Sequence, residues 1–120
     1  MSADRLADYI AQMNEAALKA SDFLSGMGYD AFAADERTQM AVGMTLVLIG
    51  DAAARIMQHY PDFPVEHPEI PWNKIKGMRN VVVHDYYELD LPVVFETVQK
   101  ALPDLVIQLD ALRHTRPQGE

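Results

Sequence analysis

A chain of 120 residues is long enough for one domain with a real core and too short for two. Its formal charge of −8 argues against a general nucleic-acid coat, which needs many cations facing phosphate, and the lack of cysteine removes disulfides and thiolate zinc sites. Charges interrupt the 49% of hydrophobic residues, so no membrane span of about 20 apolar residues is expected, and Met1–Arg5 has no secretory start, which points to a cytoplasmic chain.

The first predicted helix covers Ser2 to Ser25, where Leu6, Ile10, Met13, Ala17, Ala20 and Leu24 recur at spacings of three and four. Gly26-Met27-Gly28 ends it. With Ala31, these glycines spell a dinucleotide-binding fingerprint, but that motif needs a preceding strand and here it follows a helix, so a C-cap and turn is the better account. The second stretch runs from Asp30 to Tyr60 with a stripe of Met40, Met44, Val47, Leu48, Ala52, Ile56 and Met57. Some 30 residues would span about 45 Å, so it bends, starts late or is covered by a partner subunit. Pro61 to Pro68 is expected as a loop.

The third helix begins with Pro71 in its first turn and carries Trp72, Ile75, Met78 and Val82 on one side, ending near His84. Val81-Val82-Val83 is strand-like, but no second such run exists to pair with it. Asp90 is a candidate N-cap for a fourth helix, in which Val94, Val98, Ala101, Leu105, Leu109 and Leu112 face the core and Pro103 forces a kink or interruption. These elements predict an all-α, four- to five-helix antiparallel bundle over residues 1–113, with a disordered tail at 114–120.

Metal sites have little support. His59, His67, His84 and His114 lie on different elements, and although His84-Asp85 resembles the metal-binding pair of phosphohydrolases, Asp51 and the other carboxylates bring no partner histidine. No metal or other cofactor is expected. The segment Trp72 to Tyr87 is different, because it gathers Asn73, Lys74, Lys76, Arg79, Asn80, His84, Asp85 and Tyr86 with no acid before His84. Arg offers a planar fork for phosphate and for transition-state charge, and His exchanges protons near neutral pH. Residues five apart on a helix differ by about 140° in direction, so Arg79 and His84 do not share a face, whereas Asn80 and His84 do. Convergence requires a loosened helix end, a long reach by Arg79, or two copies of the helix. The alternative is structural, with His84 capping the helix and Arg79 in an ion pair.

The run Trp72-x-x-Ile75-x-Gly77-Met78-Arg79-Asn80-x-x-x-His84-Asp85-Tyr86 resembles the HepT-like family of HEPN domains, whose signature is Arg, four residues, His, one residue, Tyr. Leu48-Ile49-Gly50-Asp51-Ala52-Ala53 and Leu102-Pro103-Asp104-Leu105 are also similar, with Asp51 where many relatives carry Glu. The resemblance implies a HEPN-like homodimer and a metal-independent endoribonuclease toxin, with Arg79 and His84 catalytic and Asn80, Lys76 and Tyr86 contacting substrate. It further implies RNA as substrate and a minimal nucleotidyltransferase antitoxin as partner, able to place AMP on Tyr86. A non-catalytic nucleotide-binding or nucleotidyltransferase-docking module, or a purely structural dimer, would be built from the same letters.

Overall fold

The computed structural model describes residues 2–115, with side chains from 5 to 112. Helix α1 (Ser2–Phe23) forms on the first apolar repeat, and Leu6, Ile10, Met13, Ala17, Ala20 and Leu24 are all buried. Gly26 closes it at φ 80, in the left-handed region where a side chain would be strained, and the Met27 N–H donates to the Leu24 carbonyl at 3.0 Å.

The long second stretch is two helices rather than one. After the single turn of α2 (Tyr29–Ala33), Asp35 takes an extended conformation and caps α3 (Glu36–His59), accepting from the Thr38 N–H at 3.1 Å and the Thr38 hydroxyl at 2.8 Å. A side chain that satisfies the first free N–H groups of a helix defines its start, and this one breaks the periodic stretch. Helix α3 lies between α1 and the helix Trp72–His84, and the last helix, Leu102–Thr115, packs on α1. By length and composition α3 is apolar enough to cross a membrane, contrary to the expectation from interrupting charges, because only Asp51 and Arg55 are charged between positions 38 and 57; half of it is buried in the bundle.

The expected core stripe of α3 is corrected. Val42, Leu46, Ile49, Ala53 and Ile56 face inward, while Met40, Met44 and Leu48 are 52%, 58% and 46% exposed. Helix α3 is apolar on both sides, so periodicity alone does not choose the inner one. The predicted loop at 61–68 also contains one turn of helix, α4 (Asp62–Glu66), since Pro61 and Pro64 sit where no intrahelical N–H is needed. Phe63 anchors it in the core, edge-on to Trp72 at 6.0 Å, and the Trp72 indole N–H donates to the His67 carbonyl at 2.9 Å.

Helix α5 (Trp72–His84) includes the three valines as helix, with Pro71 just outside it as N-cap. A 3₁₀ turn, Tyr86–Glu88, leads to Asp90, which caps α6 (Leu91–Glu96) by accepting from the Val93 N–H at 3.3 Å. Before Pro103 the chain widens into a π-helical segment, Thr97–Ala101, and resumes as α7 (Leu102–Thr115). The wider turn accommodates the proline ring and missing N–H, and its extra residue rotates Leu102 rather than the expected Ala101 into the core. Residues 114 and 115 of the expected tail are thus helical, and 116–120 lie outside the described residues.

Candidate functional site

The site begins with two glycines inside α3. A Cβ at Gly50 would collide with the Cβ and Cγ of Arg79 and come within 3.4 Å of the Ile75 carbonyl. A Cβ at Gly43 would meet Tyr86 Cε1 at 3.4 Å and Val82 Cγ1 at 3.5 Å. Seven residues apart, the two glycines share a face of α3, and α5 with its following turn lies in the notch they leave. Glycine inside a helix costs about 1 kcal/mol relative to alanine, so close approach of α5 is what this face gains.

The notch lays the Arg79 stem across α3 so that its head emerges beside the next residue. Arg79 Nε donates to Asp51 Oδ1 at 2.7 Å, and Nη1 donates to Asn80 Oδ1 at 3.1 Å. Two donors thus orient a guanidinium that has five, and the side chains of Arg79 and Asp51 remain 31% and 41% exposed. The head is held in place and still open to solvent. The structural alternative for Arg79 is therefore realised as an ion pair, without closing the group to a ligand.

His84, the last residue of α5, is exposed and has no hydrogen bond or ion pair among the described residues, so it does not act as a cap. Helix α5 is regular through His84, so the imidazole stands one turn beyond Asn80, on which the Arg79 head rests, and among the described residues it makes no hydrogen bond with Arg79. Lys76, Asn80 and His84, at successive spacings of four, form one ridge beside Arg79, with Lys76 exposed and Asn80 half-buried.

Tyr86 stands apart from these groups. Its ring packs at Gly43, two turns of α3 or about 10 Å along the helix from Gly50 and Arg79. Its hydroxyl is buried and has no hydrogen-bond partner among the described residues, and burial, helped by Glu36 and Tyr87, pushes the phenol up from its ordinary value. Tyr87, whose ring meets that of Tyr86 edge-on at 5.6 Å, is 92% exposed.

Met40, Met44, Leu48 and Asp51 follow one another at spacings of four, four and three. The exposed apolar stripe of α3 therefore runs directly into the Asp51–Arg79 pair. Sequence reasoning left the roles of Gly43, Gly50 and Asp51 unassigned. The available signal was a pair of helix-interior glycines one heptad apart, the second next to a carboxylate. Among the described residues, no cluster of His, Cys, Asp and Glu has the makings of a metal site.

The profile of the family described as "Ribonuclease HepT-like" matches residues 13–112, which span every group named above. The chain is 34% identical over 106 residues to "Probable ribonuclease HepT" of Thermococcus cleftensis, covering 88% of this chain and 94% of that protein. A protein of Methanocaldococcus jannaschii named as a "Putative RNase" is 26% identical over 91 residues, 76% of this chain and 73% of its own. One of the same description from Caldanaerobacter subterraneus subsp. tengcongensis is 28% identical over 86 residues, 72% and 74% of the two chains. No solved structure gives a significant match. With its fold, its Arg79/His84/Tyr86 set and this likeness over most of its length, the chain belongs to the HepT-like ribonuclease family of the HEPN superfamily.

Proposed function

We propose that the chain is a metal-independent endoribonuclease toxin that acts as a homodimer in the cytoplasm. The observation that carries this reading is the Arg79 head, aimed by Asp51 and Asn80, still open to solvent and placed at the end of an exposed apolar stripe. A second copy covering Met40, Met44 and Leu48 would bury that stripe and bring two α5 helices together, so that both copies' Arg79 and His84 line one cleft. This supplies the convergence that a single regular helix does not.

In that cleft the free Arg79 N–H groups bind the non-bridging oxygens of an RNA phosphodiester and stabilise the charge of the pentacoordinate phosphorus. A neutral His84 imidazole takes the proton of the 2′-hydroxyl, whose oxygen attacks phosphorus. The P–O5′ bond breaks with its electron pair leaving on O5′, and the second copy's His84, protonated, returns a proton to it. The products are a 2′,3′-cyclic phosphate and a 5′-hydroxyl. Lys76 and Asn80 add donors beside the phosphate. A minimal nucleotidyltransferase antitoxin would silence this site by moving AMP from ATP to the Tyr86 oxygen with release of pyrophosphate. The burial of that oxygen requires the turn at 86–88 to open first.

The test is cleavage of single-stranded RNA by the purified chain, with and without a chelator. Arg79→Ala and His84→Ala should each lower the rate by about a hundredfold or more, and the chelator should leave it unchanged. Full activity in both variants would refute the reading. The separation of Arg79 from His84 within one chain favours a second reading, a non-catalytic module that binds a nucleotide or docks the nucleotidyltransferase. Calorimetric binding of ATP or AMP by a preparation that cleaves no RNA would establish it.

A further inference from the structure

Arg5, Tyr9 and Arg55 lie outside the signature, at a groove that begins at Asp51: Tyr9 and Arg55 line it, and Arg5 adjoins it through Tyr9. The groove runs between α1 and α3, holds about 400 Å³, and is lined by Tyr9, Glu15, Lys19, Leu48, Asp51 and Arg55. Each of its carboxylates is already engaged: Asp51 by Arg79 at 2.7 Å and Glu15 by Lys19 at 3.2 Å. The two arginines are not so engaged. Arg5 Nη1 donates to the buried Tyr9 hydroxyl at 3.3 Å, and neither Arg5 nor Arg55 has a carboxylate in ion-pair range among the described residues. Arg55 lines the same groove as Tyr9, and both guanidiniums pull the Tyr9 phenol below its ordinary value, the Arg5 hydrogen bond most.

Asp8 lies near enough to act on Arg5 electrostatically, yet in a chain with 18 acidic and 10 basic side chains neither arginine forms an ion pair among the described residues. Both guanidiniums are exposed at this groove, and their remaining N–H groups are open to the oxygens of an anion. Arg55 is one turn of α3, about 6 Å, beyond Asp51, a distance comparable to the step between consecutive phosphates on an extended strand. A cationic groove is also how single strands are commonly tracked.

We propose that Arg5 and Arg55, joined through Tyr9 at the α1–α3 groove, form a subsite for the RNA backbone phosphate adjacent to the one held at Arg79. The inference rests on the ribonuclease reading and extends the substrate track from one phosphate to two. It explains how an acidic protein holds a polyanion: the groove's acids are neutralised internally and its surplus charge is positive.

The probe is a fluorescent, 2′-O-methylated single-stranded oligoribonucleotide, which lacks the nucleophile, titrated at several salt concentrations. Arg5→Gln/Arg55→Gln, at exposed positions, should bind it about tenfold more weakly. The slope of log K against log salt should shallow by about 0.7, the value for one phosphate on a single strand. Arg5→Lys/Arg55→Lys should restore most of that slope. Cleavage of a dinucleoside monophosphate, which has no second phosphate, should be unchanged. Unaltered oligonucleotide affinity and slope would overturn the subsite, as would an equal loss on the dinucleoside, which would mean that the pair acts through the catalytic centre. A changed sedimentation mass would also overturn it, by assigning the arginines to a contact between copies. If instead Arg79→Ala leaves cleavage intact while the double variant loses oligonucleotide binding, the fault lies in the catalytic reading and not in the subsite.

Discussion

At the scale of single residues, the contrast between Arg79 and Tyr86 is the most informative feature. Both belong to the family signature, yet one presents its polar head to solvent and the other hides it. Arg79 uses two donors to fix its orientation, which in the proposed reaction would reduce the ordering cost of gripping a phosphate. The buried Tyr86 hydroxyl has no partner among the described residues, a condition worth about 1–3 kcal/mol of destabilisation. Tyr86→Phe should therefore raise the melting temperature at neutral pH. Because the phenol is held above its ordinary value in the fold, its contribution is intact below the ordinary phenol range and is lost as pH rises through the folded value. The wild-type melting temperature should fall in that alkaline window and the Tyr86→Phe variant should fall less, as thermal scans across pH would measure. Equal alkaline sensitivity in both would mean that the hydroxyl is solvated in solution.

At the scale of elements, the α3–α5 contact positions the chemistry, and glycine makes it possible. Gly50→Ala offers a test with a clear sign, because helix propensity alone predicts a gain. The added methyl has to occupy the space of the Arg79 stem, so a net loss of about 1–3 kcal/mol is expected, together with loss of RNA cleavage as the guanidinium is displaced from Asp51. Gly77 is the control. It lies within α5 with nothing near a prospective Cβ, so Gly77→Ala should stabilise by about 0.5–1 kcal/mol and leave cleavage unchanged. Denaturant titrations of the two variants would measure the difference. The π segment before Pro103 is the other place where an element departs from the expected periodicity, and it shows how one backbone residue can reset which side chains reach the core.

At the scale of the whole molecule, the outer face of α3 governs the proposed assembly. Met44 is 58% exposed at the centre of an apolar stripe, so Met44→Glu should leave the fold intact while placing a charge where a second copy would pack. The expected outcome is a monomer by sedimentation, with unchanged helical content by circular dichroism and cleavage reduced to the level of the His84→Ala variant. A monomeric Met44→Glu protein that cleaves at the wild-type rate would show that a single chain suffices. The net charge of −8 acts at this scale too, since it opposes RNA except along the few tracks where cations outnumber acids locally.

The order of residues by itself determined α1, α5 and the periodic stretches that hold α3, α6 and α7, together with the Asp90 cap, the Gly26 turn and the identity of the signature side chains. Each depends on neighbours within about four positions, where periodicity and capping operate. Tertiary structure alone decided which side of α3 faces inward, that Gly50 receives Arg79, that Asp51 holds its head and that the Tyr86 hydroxyl is sealed away. Those outcomes join positions far apart in the chain, such as Asp51 with Arg79 and Gly43 with Tyr86, and a helix apolar on two sides contains no local information about which side its neighbours will take.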